Sequence, residues 1–308
     1  TIEFELRQGI TFHNGEKFDA DDVVYTLNYV SNPDNKVLVV RNVSWIKNAE
    51  KLGPYAVRIN LKEPFPAAFE YLAGNLPIYP NEYYAKVGPE GFGLKPVGTG
   101  PYKVAEIEQG KRIVFVKNEN YFKDSPKGQP AIDKLIQRTI PEITTMVAEL
   151  MTGGLDWIYL VPKDQAEKLE KVPTLKVVRA ETMRIGFLQM DATGRSGDTP
   201  MKKLEVRQAV AHAIDREAIA KNLVGGQSRV VHAACYPSQF GCTDEVVKYD
   251  YNPAKAKELL AKAGYPNGFE ATIKLPAIYA YAQRAGEVIA DMLGQIGIKL
   301  KIEVVEWG

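Results

Sequence analysis

The groups in this sequence able to do chemistry are few: three histidines, two cysteines, adjacent carboxylates and one glycine-rich loop. His13 sits in "TFHNGEKF" beside a turn signal, His212 falls inside a helical pattern, and His232 precedes the cysteine segment. No H-x-x-x-H pair, G-x-S-x-G elbow or metal-spaced Cys/His cluster accompanies them. Each histidine therefore reads first as a packed or surface residue. Asp21 and Asp22 read as the acidic first turn of a helix rather than as an acid–base pair, because carboxylates favour the positive helix end. Cys235 and Cys242, in "ACYPSQFGC", are separated by six residues. A disulfide across that gap would close a small surface loop and suit an oxidising compartment; two unrelated thiols are the other reading. A zinc site would need two further ligands, and only His232 is near.

The loop "PVGTGPYK" (residues 96–103) invites comparison with phosphate cradles. Those need a strand, a glycine-rich turn and then a helix whose N-terminus faces the anion. Here "VAEIEQGKRIVFVKN" follows, which reads as two strands around Gln109-Gly110, and no Lys-Ser or Lys-Thr pair closes the loop. A nucleotide site is excluded on both counts. The more suggestive residues are aromatic. Sixteen Tyr and three Trp occur, and Tyr79, Tyr236, Tyr279, Tyr281 and Trp307 fall in expected loops. Rings with a polar tip suit a ligand cleft, although each could equally anchor its own loop.

The elements that would position these residues follow from periodicity. "TIEFELR" alternates as a strand, and Asn14-Gly15 predicts a two-residue hairpin turn with positive φ at both positions. A helix over "FDADDVVYTLNYV" has Asp19 as its cap, Phe18 and Val23 as a hydrophobic staple, and Asn32-Pro33 as its stop. Tyr55–Leu61 alternates as a strand, and residues 64–80 mix a short helix with prolines. "PEITTMVAELMTGG" predicts a helix stopped by Gly153. Leu155–Pro162 and Met183–Met190 are short apolar runs expected to be buried strands. "MKKLEVRQAVAHAIDREAIAKNLVGG" predicts two helices, with Val206, Val210, Ala213 and Ile214 on one face and Asp215 capping the second. Asn252, Pro253 and Gly264 bracket a further helix. The last helix has Ala285, Val288, Ile289, Met292, Leu293 and Ile296 on one face, and a strand with Ile298, Leu300, Ile302 and Val304 follows it. Helices and strands alternate in this half, as α/β packing requires.

Composition bounds the answer. The chain has 308 residues, is 45% hydrophobic and 25% charged, and carries a formal net charge of +1. That is a globular balance with length for two domains, and it supplies no field of one sign for nucleic acid. No apolar run reaches the length of a membrane span. The chain begins with Thr1 and both ends read as strands, which suggests a piece trimmed from a longer protein.

The segments "VGTGPYKV", "KNENYF", "AIDKLIQRTIP", "VRQAVAHAIDREAIAKNLVGG", "YNPAKAKELLAKAGYP" and "IGIKLKIEVVEW" occur in that order. Together with "FELRQGITFHNGEKFDADDVVYTL" they resemble the family 5 extracellular solute-binding proteins of ABC importers, from Thr1 to Trp307. The resemblance implies an α/β, periplasmic binding protein type II-like fold, with two lobes plus an inserted α+β domain, incomplete here. Residues 1–90 would be part of the inserted domain, 91–180 a lobe I segment, and 181–308 the N-terminal part of lobe II. It implies a structural role for the GTGPY segment, where Gly98 and Gly100 would permit unusual backbone angles.

The resemblance further implies a periplasmic or otherwise exported protein, a monomer that captures a small solute in an interlobe cleft and delivers it to the membrane permease. No cofactor, catalysis or nucleic acid would be involved. By position, the ligand-binding residues would be Asn75 and Leu76, Met183 and Arg184, Tyr279 and Tyr281, with Tyr236 and Trp307 as looser matches. Dipeptide binders carry an Arg and a Tyr in the loop matching "PAIYAYAQR"; here Arg284 falls on the helix, which weakens a dipeptide reading, and few charges near the expected cleft residues favour a small, mostly neutral or aromatic-compatible solute. Export also favours the Cys235–Cys242 disulfide. A hydrolase or a ligand-sensing module on the same scaffold is the alternative.

Overall fold

The computed structural model describes the chain except Glu181, Gly226, Gln227, Ile278, Trp307 and Gly308, and the side chains of Asn75 and Ala280. The chain divides into two compact units, Thr1–Lys176 and Val177–Gly308. Among the described residues no helix is long and apolar enough to cross a membrane.

In unit 1, strand β1 (Ile2–Glu5) is followed by helix α1 (Ala20–Ser31), then β2 (Ile46–Gly53) and β3 (Ala56–Leu61). These strands form an antiparallel sheet in the order β1-β3-β2, with Ile2 opposite Ile59 and Phe4 opposite Val57. Helix α1 starts where the sequence places it. The Asp19 carboxylate accepts from Asp21 N (2.8 Å), and Asp22 accepts from Asp19 N (2.9 Å), a complete capping box. Ala20, Val23, Leu27 and Val30 share one face of the helix and are buried against Ile46, Ala49, Val57 and Ile59. Trp45 closes this core by stacking on Phe65, with ring centroids 5.2 Å apart.

A second buried line on α1 is polar. Asp22 is 3% exposed and Thr26 0% exposed. Asn81 N donates to Asp22 Oδ1 (2.9 Å) and Tyr79 N donates to Thr26 Oγ1 (2.9 Å). These two bonds fix the connection between α2 (Ala68–Asn75) and α3 (Asn81–Leu94) against α1. Tyr79 then stacks on Tyr84 (4.3 Å), and Tyr84 packs edge-on against Tyr25 and Tyr29. Burial, helped by a hydrogen bond with Tyr29, pushes the Tyr84 phenol well above its usual 10.0.

The rest of unit 1 holds a second antiparallel sheet of β4 (Tyr102–Glu108), β5 (Arg112–Lys117) and β6 (Lys134–Arg138), then helices α4 (Ile143–Met151) and α5 (Lys163–Leu169). The loop before β4 is clasped from two sides. His13 N donates to Gly98 O (2.8 Å), Gly98 N donates to His13 Nδ1 (3.3 Å), and His13 Nε2 lies 3.0 Å from Gly100 O. With Nδ1 accepting, the ring proton sits on Nε2 and is given to Gly100 O. Asn118 Nδ2 donates to the same carbonyl (3.0 Å), and Asn118 N donates to Pro101 O (2.8 Å).

Unit 2 is built on α6 (Leu204–Ala213), a short α7 (Arg216–Ala218) continuing as a π-turn over Ile219–Val224, α8 (Pro253–Lys262), β7 (Phe269–Pro276), α9 (Ala280–Gly294) and β8 (Ile298–Val305). The caps are the expected ones: Asp215 accepts from Ala218 N (2.9 Å) and Asn252 from Lys255 N (2.9 Å). Strands β7 and β8 pair in parallel, from Phe269 opposite Ile298 to Pro276 opposite Val305, and α9 is the crossover between them. Where the strands begin, Gly268 and Gly297 meet backbone to backbone: a Cβ on Gly268 would stand 1.9 Å from Gly297 O. Val206, Val210, Ala213, Leu260, Leu293, Ile296 and Ile298 form the core.

Four expectations are corrected. Leu155–Pro162 is irregular, with Trp157 and Tyr159 stacked on each other and exposed; Leu160 at φ 58 breaks any extended run, and no described strand pairs with it. Met183–Met190 also lacks a pairing strand: Leu188 and Met190 pack on the core, but Met183 and Phe187 face solvent. An apolar run becomes a strand only with hydrogen-bonding neighbours. The turn at "FHNG" is one residue earlier than expected. Gly15 N bonds Phe12 O (2.9 Å) and Gly15 alone has positive φ (92°), so His13-Asn14 form the bend and Gly15 a bulge. Gly98 and Gly100 do not have positive φ; the loop's shape comes from His13 and Asn118.

Replacing Asp22 with Ala leaves Asp19 N and Asn81 N without their buried acceptor. Urea unfolding of Asp22→Ala is expected to show a loss of about 1–3 kcal/mol per orphaned group at most, with m unchanged. Because the folded Tyr84 phenol lies above its unfolded 10.0, it favours the native state below that pH and loses this as pH rises above it. Melting temperature is therefore expected to drop beyond pH 10, and Tyr84→Phe to flatten that drop.

Candidate functional site

In unit 1, Asn75 ends α2 and its side chain lies outside the described residues. Leu76 follows as the helix C-cap, but its side chain turns inward. With Phe4, Phe18, Leu27, Ile59 and Ile78 it lines an apolar cavity of about 180 Å³ beneath the sheet.

In unit 2 the structure sets two expected residues, Tyr279 and Tyr281, side by side, and runs the segment that carries two more past Tyr281. Tyr279 is the residue before α9 and Tyr281 lies in its first turn; their rings stand 5.6 Å apart at 40°. Tyr281 is about half exposed. Beside them runs the extended 183–190 segment: a Cβ on Gly186 would sit 4.0 Å from Tyr281 Cε2. Met183 and Arg184, three and two residues upstream of that contact, are both exposed. Arg184 makes no ion pair among the described residues. Arg284 is on α9, as expected, and exposed. Trp307 lies outside the described residues.

The segment is anchored at its far end by Asp191. That carboxylate accepts from Ser196 Oγ (2.6 Å), Ser196 N (2.7 Å) and Gly194 N (2.9 Å). The Ser196 hydroxyl, then its backbone N–H, holds the group well below the usual carboxylate range. Asp191 is thus committed to closing its own loop before α6.

Tyr236 belongs to the cysteine loop. Cys235 and Cys242 form a disulfide with Cα atoms 5.8 Å apart, ordinary spacing for such a bridge. Arg229 donates to Tyr236 Oη (3.1 Å), and its guanidinium lies 5.3 Å from the ring centre. Gln239 Oε1 accepts from Tyr236 N (2.5 Å). Sequence reasoning missed Arg229, because nothing local ties it to a ring seven residues on. It also missed Phe187, exposed on the same segment as Met183. The alternation within 183–190, Leu188 inward and Phe187 outward, was the available signal.

Two histidines are structural: His13 clasps the loop before β4, and His212 Nδ1 contacts Asp250 O at 2.8 Å; His232 is exposed. Among the described residues no group of three or more His, Cys, Asp or Glu could hold a metal ion. What the unit 2 surface can do is offer ring faces, a thioether and a guanidinium to an organic molecule.

The family profile described as bacterial extracellular solute-binding proteins, family 5 Middle, matches residues 1–308. The glutathione-binding protein GsiB of Salmonella paratyphi A is 33% identical over 310 residues, covering 100% of this chain and 59% of the relative. The periplasmic binding protein AgaA of A. tumefaciens R10, solved with agropinic acid, superposes with a TM-score of 0.81 at 32% identity, over 99% of this chain and 61% of that one. The oligopeptide-binding protein AppA of Bacillus subtilis, solved with a nonapeptide, gives 0.77 at 28% identity, over 99% and 63%. The fold is accordingly that of the type II periplasmic binding proteins, in part: the chain spans about three-fifths of the length of these relatives. It belongs to the bacterial extracellular solute-binding proteins, family 5, and is a protein of the periplasm or extracytoplasmic space.

Mass spectrometry of protein denatured without reductant is expected to show a mass two hydrogens below the free-thiol value and no uptake of iodoacetamide. Reduction should open both Cys235 and Cys242 to alkylation. Alkylation before reduction would refute the bridge.

Proposed function

We propose that this chain carries most of the solute-capturing apparatus of a periplasmic binding protein that delivers a small organic solute to an ABC importer permease. The observation that carries the reading is the Tyr279–Tyr281 ring pair, with Tyr281 half exposed beside Gly186, and Met183 and Arg184 exposed on the segment that carries Gly186. The rings can cover the apolar body of a solute, and the guanidinium can take a carboxylate in a forked hydrogen bond. Family membership supports capture without chemistry, and the protein acts as a monomer with no cofactor and no nucleic acid. Residues 1–90 are then part of the inserted domain, 91–180 a segment of lobe I, and 181–308 the first part of lobe II.

Relatives named for glutathione, agropinic acid and a nonapeptide suggest the solute class: a small amino-acid-derived molecule with a carboxylate. This modifies the expectation of a mostly neutral solute, because Arg184 is exposed and forms no ion pair among the described residues. Isothermal titration with glutathione, an opine acid and a set of short peptides tests it. One of these should bind with micromolar Kd or tighter and be recovered unchanged. Tyr281→Ala and Arg184→Ala should each weaken that binding about tenfold, equivalent to ~1.4 kcal/mol. Conversion of the solute to a product, or unaltered affinity in both variants, would defeat the proposal.

A further inference from the structure

Between α1 and β2 the chain makes a loop whose base is rigid and whose tip is bare. Two 3₁₀ turns, Pro33–Asn35 and Val40–Asn42, frame it. The first ends with Lys36 in left-handed backbone (φ 48°), held by Lys36 N bonding Pro33 O (3.2 Å). The second is closed by Asn42 N to Val39 O (3.0 Å) and Val43 N to Val40 O (3.0 Å). Buried Trp45 pins that turn to the core, its indole N–H donating to Asn42 O (2.9 Å). The tip cannot fold away without breaking these bonds.

At that tip Leu38 is 101% exposed, Val39 47% and Val40 57%, while Val37 turns back against the core. Three consecutive apolar side chains in water are costly to hydrate. Lys36 and Arg41 flank them in the chain and Lys47 follows at the start of β2; all are exposed, and among the described residues none forms an ion pair. Asp34 is the one carboxylate between Asn32 and Lys47. The chain's net charge is only +1, so this concentration of cations is local.

We propose that the Leu38–Val40 tip, with Lys36, Arg41 and Lys47, is a contact for the interface of an anionic lipid bilayer. The apolar side chains would enter the headgroup boundary while the cations meet lipid phosphates, so both contributions act together. A protein partner would need an apolar hole ringed by carboxylates at matching positions. A lipid surface supplies anions wherever the cations fall. A protein that serves a membrane permease works beside such a surface.

Vesicle flotation tests this with the purified protein. Unilamellar vesicles of equal phosphatidylcholine and phosphatidylglycerol, at low salt, should carry a measurable fraction of the protein upward. Pure phosphatidylcholine vesicles, or high salt, should reduce that fraction at least threefold, because the cations would be unanswered or screened. The double variant L38D/V39D should lose most flotation, and R41E should lose part of it. Melting temperature and solute affinity should not change, since Leu38 and Val39 lie outside the core. The proposal is overturned if the wild type does not float at low salt, or if L38D/V39D floats as well as the wild type. It is also overturned if the variant instead abolishes a dimer or capture by the permease while wild-type flotation is absent.

Discussion

The parallel pairing of β7 with β8 is the constraint on which the candidate surface of unit 2 depends. Two parallel strands cannot be joined by a tight turn, so the chain must cross over, and it does so with α9. The crossover's entry is therefore fixed at the end of β7, where Tyr279 and Tyr281 begin the helix. Its exit is fixed by the backbone contact of Gly268 with Gly297, too close for any Cβ. Burial of Leu293, Ile296 and Ile298 against Val206, Val210 and Leu260 then locks the unit onto α6 and α8. A ring pair that covers a solute gains by being pre-positioned, because ordering it during binding would cost affinity.

Unit 1 solves its positioning problem differently, with buried polar groups. The α2–α3 connection has no regular structure of its own, yet Asp22 and Thr26 on α1 hold its backbone N–H groups. The same carboxylate completes the cap of α1, so one side chain serves a helix start and a long-range tether. The loop before β4 is handled alike, by the His13 ring and the Asn118 amide. In both places side chains satisfy backbone that secondary structure leaves unpaired.

Elements set by local chemistry were legible in the sequence. Asp19, Asp215 and Asn252 cap helices because their short carboxyl or amide groups reach the first turn, a relation contained within three residues. Elements set by distant partners were not. Strand β2, "IKNAEKLG", has a weak apolar pattern and exists through its pairing with β3, and β7 was not picked out although it alternates. Leu155–Pro162 erred the other way, apolar but without a partner. The glycine-rich loop was correctly denied to nucleotides, but its grip by His13 spans 85 residues and could not be read from spacing. Of the candidate site, the tyrosines and Arg184 were placed by resemblance. The contact of Gly186 with Tyr281 needed coordinates.

The segment from Ser228 to Asn252 holds no helix or strand, and among the bonds that order it are the Cys235–Cys242 bridge and Arg229 on Tyr236, with His212 holding Asp250 O from outside. The bridge is covalent and forms only where thiols are oxidised. A newly made chain in a reducing cytosol therefore has this stretch untied while the rest of its signals for helix and strand are already present. The loop acquires its final shape after translocation, so the compartment in which the protein works is also the one in which it is finished.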